Sequence, residues 1–200
     1  MEKQIKPKIN DIVNEFLDRE NLSIALEFLA YLKSNKINTQ WTNTNTWKAV
    51  KRGVCVCYIK MGIDTIPHSK MQQELKYNNE SAKGSWVIYP HIESIENGGL
   101  RVTAENKCIE KRKGYEEIIS NDKLYNIILS KTRACLNCGN KKKCAPGITV
   151  TFWGKELNNR CQFISTPFVN PNQDELECVI TLLNIYCILN GVLVYLTQKL

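Results

Sequence analysis

The run Thr46-Trp47-Lys48-Ala49-Val50-Lys51-Arg52-Gly53-Val54-Cys55-Val56-Cys57-Tyr58-Ile59 decides the fold class. Both arms are rich in β-branched and aromatic side chains, and Lys51-Arg52-Gly53 between them carries the glycine that a tight reversal favours. The reading is an antiparallel hairpin. In its second arm Cys55 and Cys57 are two positions apart, so an unbroken strand puts both thiols on one face, as small core hydrophobes.

Working upstream, a period of two reaches back to Thr39. Trp41, Asn43, Asn45 and Trp47 would share one face of an extended run, with Thr42, Thr44 and Thr46 on the other. Before that the period is helical. Ile9, Ile12, Val13, Phe16 and Leu17 form one apolar stripe, and Leu22, Ala25, Leu26, Leu29 and Leu32 form another. Asp18-Arg19-Glu20-Asn21 breaks the pattern and offers a cap, which predicts two short helices or one bent one.

Working downstream, Met61 to Gly84 is polar and reads as a long excursion. Ser85 to Tyr89 is the next strand, closed by Pro90, and Gly98 to Thr103 holds a short one. Tyr115 to Ser130 has helical composition. Ile148 to Trp153 and Arg160 to Ser165 predict a second hairpin. Asn170-Pro171 then opens a helix as N-cap and first-turn proline, with Asp174 and Glu175 near its positive end and Asn190-Gly191 as its stop. Val192 to Leu196 reads as a final strand. Residues 179–196 carry no formal charge, which reaches the lower length limit of a membrane span. Asn184 and Asn190-Gly191 interrupt that stretch, so a buried helix and strand is the expectation and a membrane partner is not.

These elements predict an α+β protein: an antiparallel sheet, helices packed on one side, and a cysteine-rich, zinc-stapled hairpin near the C-terminus. The 200 residues, 43% hydrophobic and 24% charged, fit one folded domain and exclude wholesale disorder. That domain divides into a helical segment at 1–35, sheet and helix at 39–130, and the cysteine-rich segment, hairpin and last helix at 131–200. The N-terminal residues lack the apolar stretch of a signal peptide, which predicts a cytoplasmic location.

The cysteines carry the most specific chemistry. There are nine, an odd number, and a reducing compartment argues against a disulfide framework. Cys108, Cys178 and Cys187 sit singly among apolar neighbours. Cys135-Leu136-Asn137-Cys138-Gly139 has the spacing that lets two thiolates reach one tetrahedral metal, about 2.3 Å from zinc, with a glycine to permit the tight knuckle. Cys144 and Cys161 complete a set of four. If Gly154-Lys155 is the hairpin turn, Cys161 falls opposite Ile148, about 13 Å of extended chain from Cys144, and Ala145-Pro146-Gly147 can fold that gap away. If Asn158-Asn159 is the turn, the gap is about 40 Å and no four-sulfur site forms. The glycine favours the first. Four sulfurs close the coordination sphere, so such a zinc is structural and not catalytic. Cys135 and Cys138 could instead form a redox pair, making the protein a thiol oxidoreductase, although a helix precedes them where a thioredoxin-like motif has a strand.

Charge concentrates in the same region. The chain has 27 Lys and Arg against 20 Asp and Glu, a formal charge of +7. Residues 107–143 hold ten basic and four acidic side chains and so supply most of it. Arg133 and Lys141-Lys142-Lys143 beside the cysteine knuckle could bind nucleic acid or an acidic protein, the adaptor alternative. No aromatic residues interleave with the lysines, which favours a solvated loop. Trp41, Trp47, Trp86 and Tyr89 could line a small-ligand cleft on the sheet, or serve only as packing. His68 and His91 have no motif around them, and Glu116 and Glu117 are adjacent, so on a helix they diverge. No phosphate loop, His-Glu-x-x-His or Gly-x-Ser-x-Gly is present.

The order Trp47-Lys48-Ala49-Val50-Lys51, Val54 to Ile59, Trp86-Val87-Ile88, Cys135-x-x-Cys138, Cys144, Gly154-Lys155-Glu156, Cys161 and Asn170-Pro171 resembles a loosely defined group of small bacterial proteins. No reaction is established for that group, so the resemblance implies a shared fold and cysteine site. The front half, a helix leading into a sheet bearing Trp and Tyr, also looks like small bacterial proteins of the iron-chaperone type. Those depend on acidic surfaces, which this basic chain does not reproduce. The expectation is therefore a non-enzymatic small-ligand-binding or regulatory module with a structural zinc.

Overall fold

The computed structural model describes residues 6–43, 45–62, 84–91, 100–101, 120–131, 147–152, 155–160, 163–164 and 166–191. The deciding hairpin is present. Strand β2 (Thr46–Lys51) pairs antiparallel with β3 (Val54–Met61), and Lys51 lies opposite Val54. The two residues between them, Arg52 (φ 48°) and Gly53 (φ 84°), both take the left-handed conformation. That combination matches the right-handed twist of the arms, and glycine reaches it without steric cost.

Two expectations about this hairpin are corrected. The run from Thr39 to Trp47 is not one strand. It splits into β1 (Asn38–Asn43) and β2, paired antiparallel with Trp41 opposite Trp47. Asn45, at φ 52°, makes the reversal, a conformation that Asn tolerates better than most residues. Cys55 and Cys57 do not share a face. The register shifts between Ala49 and Val50, so Ala49 faces Cys57, Val50 faces Cys55, and Val56 is the extra residue of a bulge. Because Ala49 and Val50 point to opposite sides, so do the two thiols.

The sheet is completed by β4 (Trp86–Pro90) and β9 (Phe168–Val169), giving five strands in the order β1-β2-β3-β4-β9, all antiparallel. One row of side chains crosses all of it: Trp41, Trp47, Ile59, Ile88 and Phe168. The last four are at most 1% exposed. Trp41 alone, at the edge, is half-buried.

Helices cover that face. Helix α1 (Ile9–Phe16) buries Ile9 and Val13, and α2 (Arg19–Ser34) buries Ala25, Phe28 and Leu32. Asp18 separates them as the predicted cap, its carboxylate accepting the Asn21 amide at 3.0 Å. Phe28 lies 6.2 Å from the Trp86 ring, which places α2 on the sheet's inner side. Helix α4 (Gln173–Leu189) is buried nearly all round, through Leu176, Cys178, Val179, Leu182, Leu183, Ile185 and Cys187. That burial explains its uncharged run without a membrane. No helix among the described residues is long and apolar enough to cross one. Tyr31 donates to Asn184 Oδ1 at 2.6 Å and so locks α2 to α4.

Helix α4 starts two residues later than Asn170-Pro171 predicts. Asn172 is the N-cap, in a reciprocal capping box with Glu175. Asn170 is used elsewhere: its amide donates to Trp86 O at 2.9 Å, and its side-chain oxygen accepts the Trp86 amide at 2.8 Å. It thereby ends the pairing of β9 with β4. Within the expected Tyr115 to Ser130 helix the described residues form α3 (Asp122–Lys131), whose Leu124 amide donates to the Asn121 side chain; residues 115–119 lie outside the described residues. Lys123 and Lys131 on α3 pair with Asp174 and Glu175 on α4.

Outside the main sheet, β5 (Leu100–Arg101) pairs with β8 (Phe163–Ile164), and β6 (Ile148–Phe152) pairs with β7 (Lys155–Arg160). The β6–β7 reversal falls one residue earlier than expected, since Phe152 is opposite Lys155. A shift on β7 then brings Arg160, not Cys161, opposite Ile148. An Asn158-Asn159 turn is excluded, because Asn158 and Asn159 lie inside β7. The expected strand at Val192 to Leu196 lies outside the described residues.

Candidate ligand cleft

The edge of the five-stranded sheet is where chemistry collects. Lys6, Pro7 and Lys8 lead into α1 alongside the β1–β2 hairpin, and Trp47 holds them there. Its indole is 1% exposed, and Nε1 donates to Pro7 O at 3.2 Å. An indole nitrogen so deep needs an acceptor, and a carbonyl that precedes the first helix has no helical donor to satisfy it. The hydrogen bond fixes how far the segment stands from the sheet.

Between them opens a cleft of about 1050 Å³, lined by Lys6, Pro7, Lys8, Ile9, Asn10 and Asp11 on one side, and by Thr39, Gln40, Trp41, Thr42, Trp47 and Lys48 on the other. Three lysines face one aspartate there. The N-terminus of α1, whose N-cap Lys8 makes no side-chain cap, adds positive potential. Trp41 supplies the apolar wall. Its Nε1 is buried with no hydrogen-bond partner among the described residues, as is that of Trp86. The arrangement can hold an anionic ligand with a flat or apolar part, since cations and a half-buried indole lie within one opening.

Of the four aromatic residues read as a ligand surface, the cleft unites Trp41 and Trp47. Trp86 shares their face but is buried under Phe28, and Tyr89 faces the other way, opposite Tyr58. Sequence reasoning missed Lys6, Lys8 and Lys48. Lys48 was findable, as the polar neighbour of Trp47 in a strand whose partner residue is Gln40. Lys6 and Lys8 were not, because only the Trp47–Pro7 hydrogen bond brings them in.

The four candidate zinc ligands Cys135, Cys138, Cys144 and Cys161, and the basic residues Arg133, Lys141, Lys142 and Lys143, lie outside the described residues. Among the described residues no three His, Cys, Asp or Glu side chains gather in a metal-holding group. The described thiols are the wrong kind for nucleophilic work. Burial raises Cys57 well above the usual thiol value and raises Cys55 and Cys187. Burial, aided by Glu175, pushes Cys178 up to about 12. Thiolates are the reactive species, so these groups are chemically quiet at neutral pH. Burial also lowers His91, whose ring sits between Tyr58 at 5.6 Å and Tyr186 at 5.8 Å.

The fold and the cleft together define an α+β protein with an open, basic, Trp-lined groove at the first edge of its sheet. No protein-family model, curated protein or solved structure matches the chain.

Proposed function

We propose that this protein is a non-enzymatic binding module whose ligand occupies the cleft between the Lys6–Asp11 segment and the β1–β2 hairpin. The observation that carries the reading is the composition of that opening: Trp41 and Trp47 beside Lys6, Lys8 and Lys48 in one cleft. Such sites combine an apolar wall with a few polar groups that orient the ligand. The raised pKa of the described thiols supports a binding role over a thiol oxidoreductase at those positions. A structural zinc on Cys135, Cys138, Cys144 and Cys161 belongs to the same proposal. Its support is the Cys-x-x-Cys-Gly spacing together with two further cysteines downstream.

Anilinonaphthalene sulfonate, an aromatic anion whose fluorescence rises on binding, tests the cleft. The wild-type protein should bind it, and Trp41→Ala should weaken binding about tenfold, as loss of one aromatic wall does. Equal binding by wild type and Trp41→Ala would overturn the assignment.

A further inference from the structure

The cleft does not lie on one face of the sheet. Thr39 and Trp41 point to the inner side, and Gln40 and Lys48 to the outer side, yet all four line it. What an opening lined from both sides of one strand surrounds is the free edge of that strand. β1 is the terminal strand of the sheet, and its backbone partner among the described residues is β2 alone. Along an antiparallel edge, every second residue turns its N–H and C=O outward, where they can accept another chain.

We propose that the natural occupant is an acidic segment of extended polypeptide, which joins the sheet as an additional strand against β1. This rests on the binding-module reading and names its partner. Backbone hydrogen bonds to the edge would give affinity, and alternate side chains would give specificity. On the inner side those side chains meet Trp41, the half-buried end of the apolar row that crosses the sheet. On the outer side they meet Gln40 and Lys48. Lys6 and Lys8 close the far wall, so carboxylates on the incoming segment face three cations and one carboxylate, Asp11. The bulge between Trp41 and Asn43 ends the regular edge. The usable length is therefore Asn38 to Trp41, about 13 Å at 3.3 Å per residue, enough to pair with about four residues of an incoming segment.

An end-capped pentapeptide alternating Glu and Val is the test ligand, titrated into the full-length protein by calorimetry and by backbone amide spectra. The proposal predicts binding that weakens with salt, shifts confined to Asn38–Trp41, Trp47–Lys48 and the Lys6–Asp11 segment, and slowed amide exchange at alternate residues of β1. Lys48→Glu and Lys8→Glu should each weaken binding about fivefold, as expected for partly exposed charges. A peptide with its alternate amides N-methylated on the edge-facing side should bind at least about tenfold more weakly, because those hydrogen bonds cannot form. Three results overturn the inference. The first is anilinonaphthalene sulfonate filling the cleft while the peptide does not, which leaves the module reading standing and removes the strand. The second is peptide affinity unchanged by N-methylation. The third is an oligouridylate producing the same β1 shifts more strongly than the peptide, which would make the partner a nucleic acid. If neither dye nor peptide binds, both readings fall together.

Discussion

Replacing Trp47 by Phe tests the link between core and cleft. The side chain is 1% exposed and sits between Trp41 and Ile59 in the row that crosses the sheet. Phenylalanine keeps an aromatic ring there but removes the hydrogen bond to Pro7 O. The lost bond costs about 1 kcal/mol net. The smaller ring loses about 1–2 kcal/mol of transfer free energy, and an unfilled space on the order of 40 Å³ adds about 1 kcal/mol. The expected destabilisation is about 3 kcal/mol, which lowers Tm by roughly 6–12 °C for a chain of this size. Chemical denaturation gives the first number and calorimetry the second. Amide exchange should report the local consequence, with faster exchange in Ile9–Phe16 beyond the global loss, because the tether to the sheet is gone. A loss below about 0.5 kcal/mol with unchanged exchange in α1 would show that Trp47 does not hold the cleft wall, and the reasoning would fail.

Other consequences follow from the same structure. Gly53→Ala forces a β-carbon into the left-handed conformation at φ 84° and should cost about 1–2 kcal/mol, measured by urea denaturation. His91 is held below its ordinary value of 6.5 by burial, so below pH 6.5 the unfolded chain takes up a proton more readily than the folded one. Its contribution therefore lets stability fall as pH drops from 6.5, and His91→Gln should flatten that slope in denaturation at pH 5.5 against pH 7.5. Cys57, Cys178 and Cys187 should resist iodoacetamide at pH 7.5 in the native state and react once the protein is unfolded, as read by mass spectrometry; rapid native labelling would contradict their burial. Purified protein should contain about one zinc per chain, and Cys138→Ser should lose it; wild type that is metal-free and indifferent to chelators would remove the zinc from the account.

What the sequence revealed about this fold depended on whether local rules had competition. The N-terminal helical stripes and the Asp18 cap were visible because stripe and cap agree, and the reversal at Lys51-Arg52-Gly53, which the structure narrows to Arg52-Gly53, because glycine sits where the conformation is demanding. The β1–β2 turn was hidden. Alternation of Trp, Asn and Thr continues in phase across Thr44-Asn45, so a reversing chain and a straight one write the same pattern. The Val56 bulge was equally invisible, since one extra residue leaves composition unchanged while moving Cys55 to the other face. Asn170 was misread for a different reason. It has the residue type of a cap, but its hydrogen bonds go to Trp86, 84 positions away, and no local pattern reports that. The cleft shows the same division. Trp41 and Trp47 announced themselves by type, whereas Lys6 and Lys8 enter only through a contact that spans 40 positions.

The most direct test of the account uses the indole N–H signals of the tryptophans in a titration with anilinonaphthalene sulfonate. Trp41 and Trp47 line the cleft, and Trp86 is buried beneath α2, outside its lining. The account predicts that the Trp41 and Trp47 signals move together along the titration while that of Trp86 stays in place. Movement of Trp86 with Trp41 fixed would contradict it.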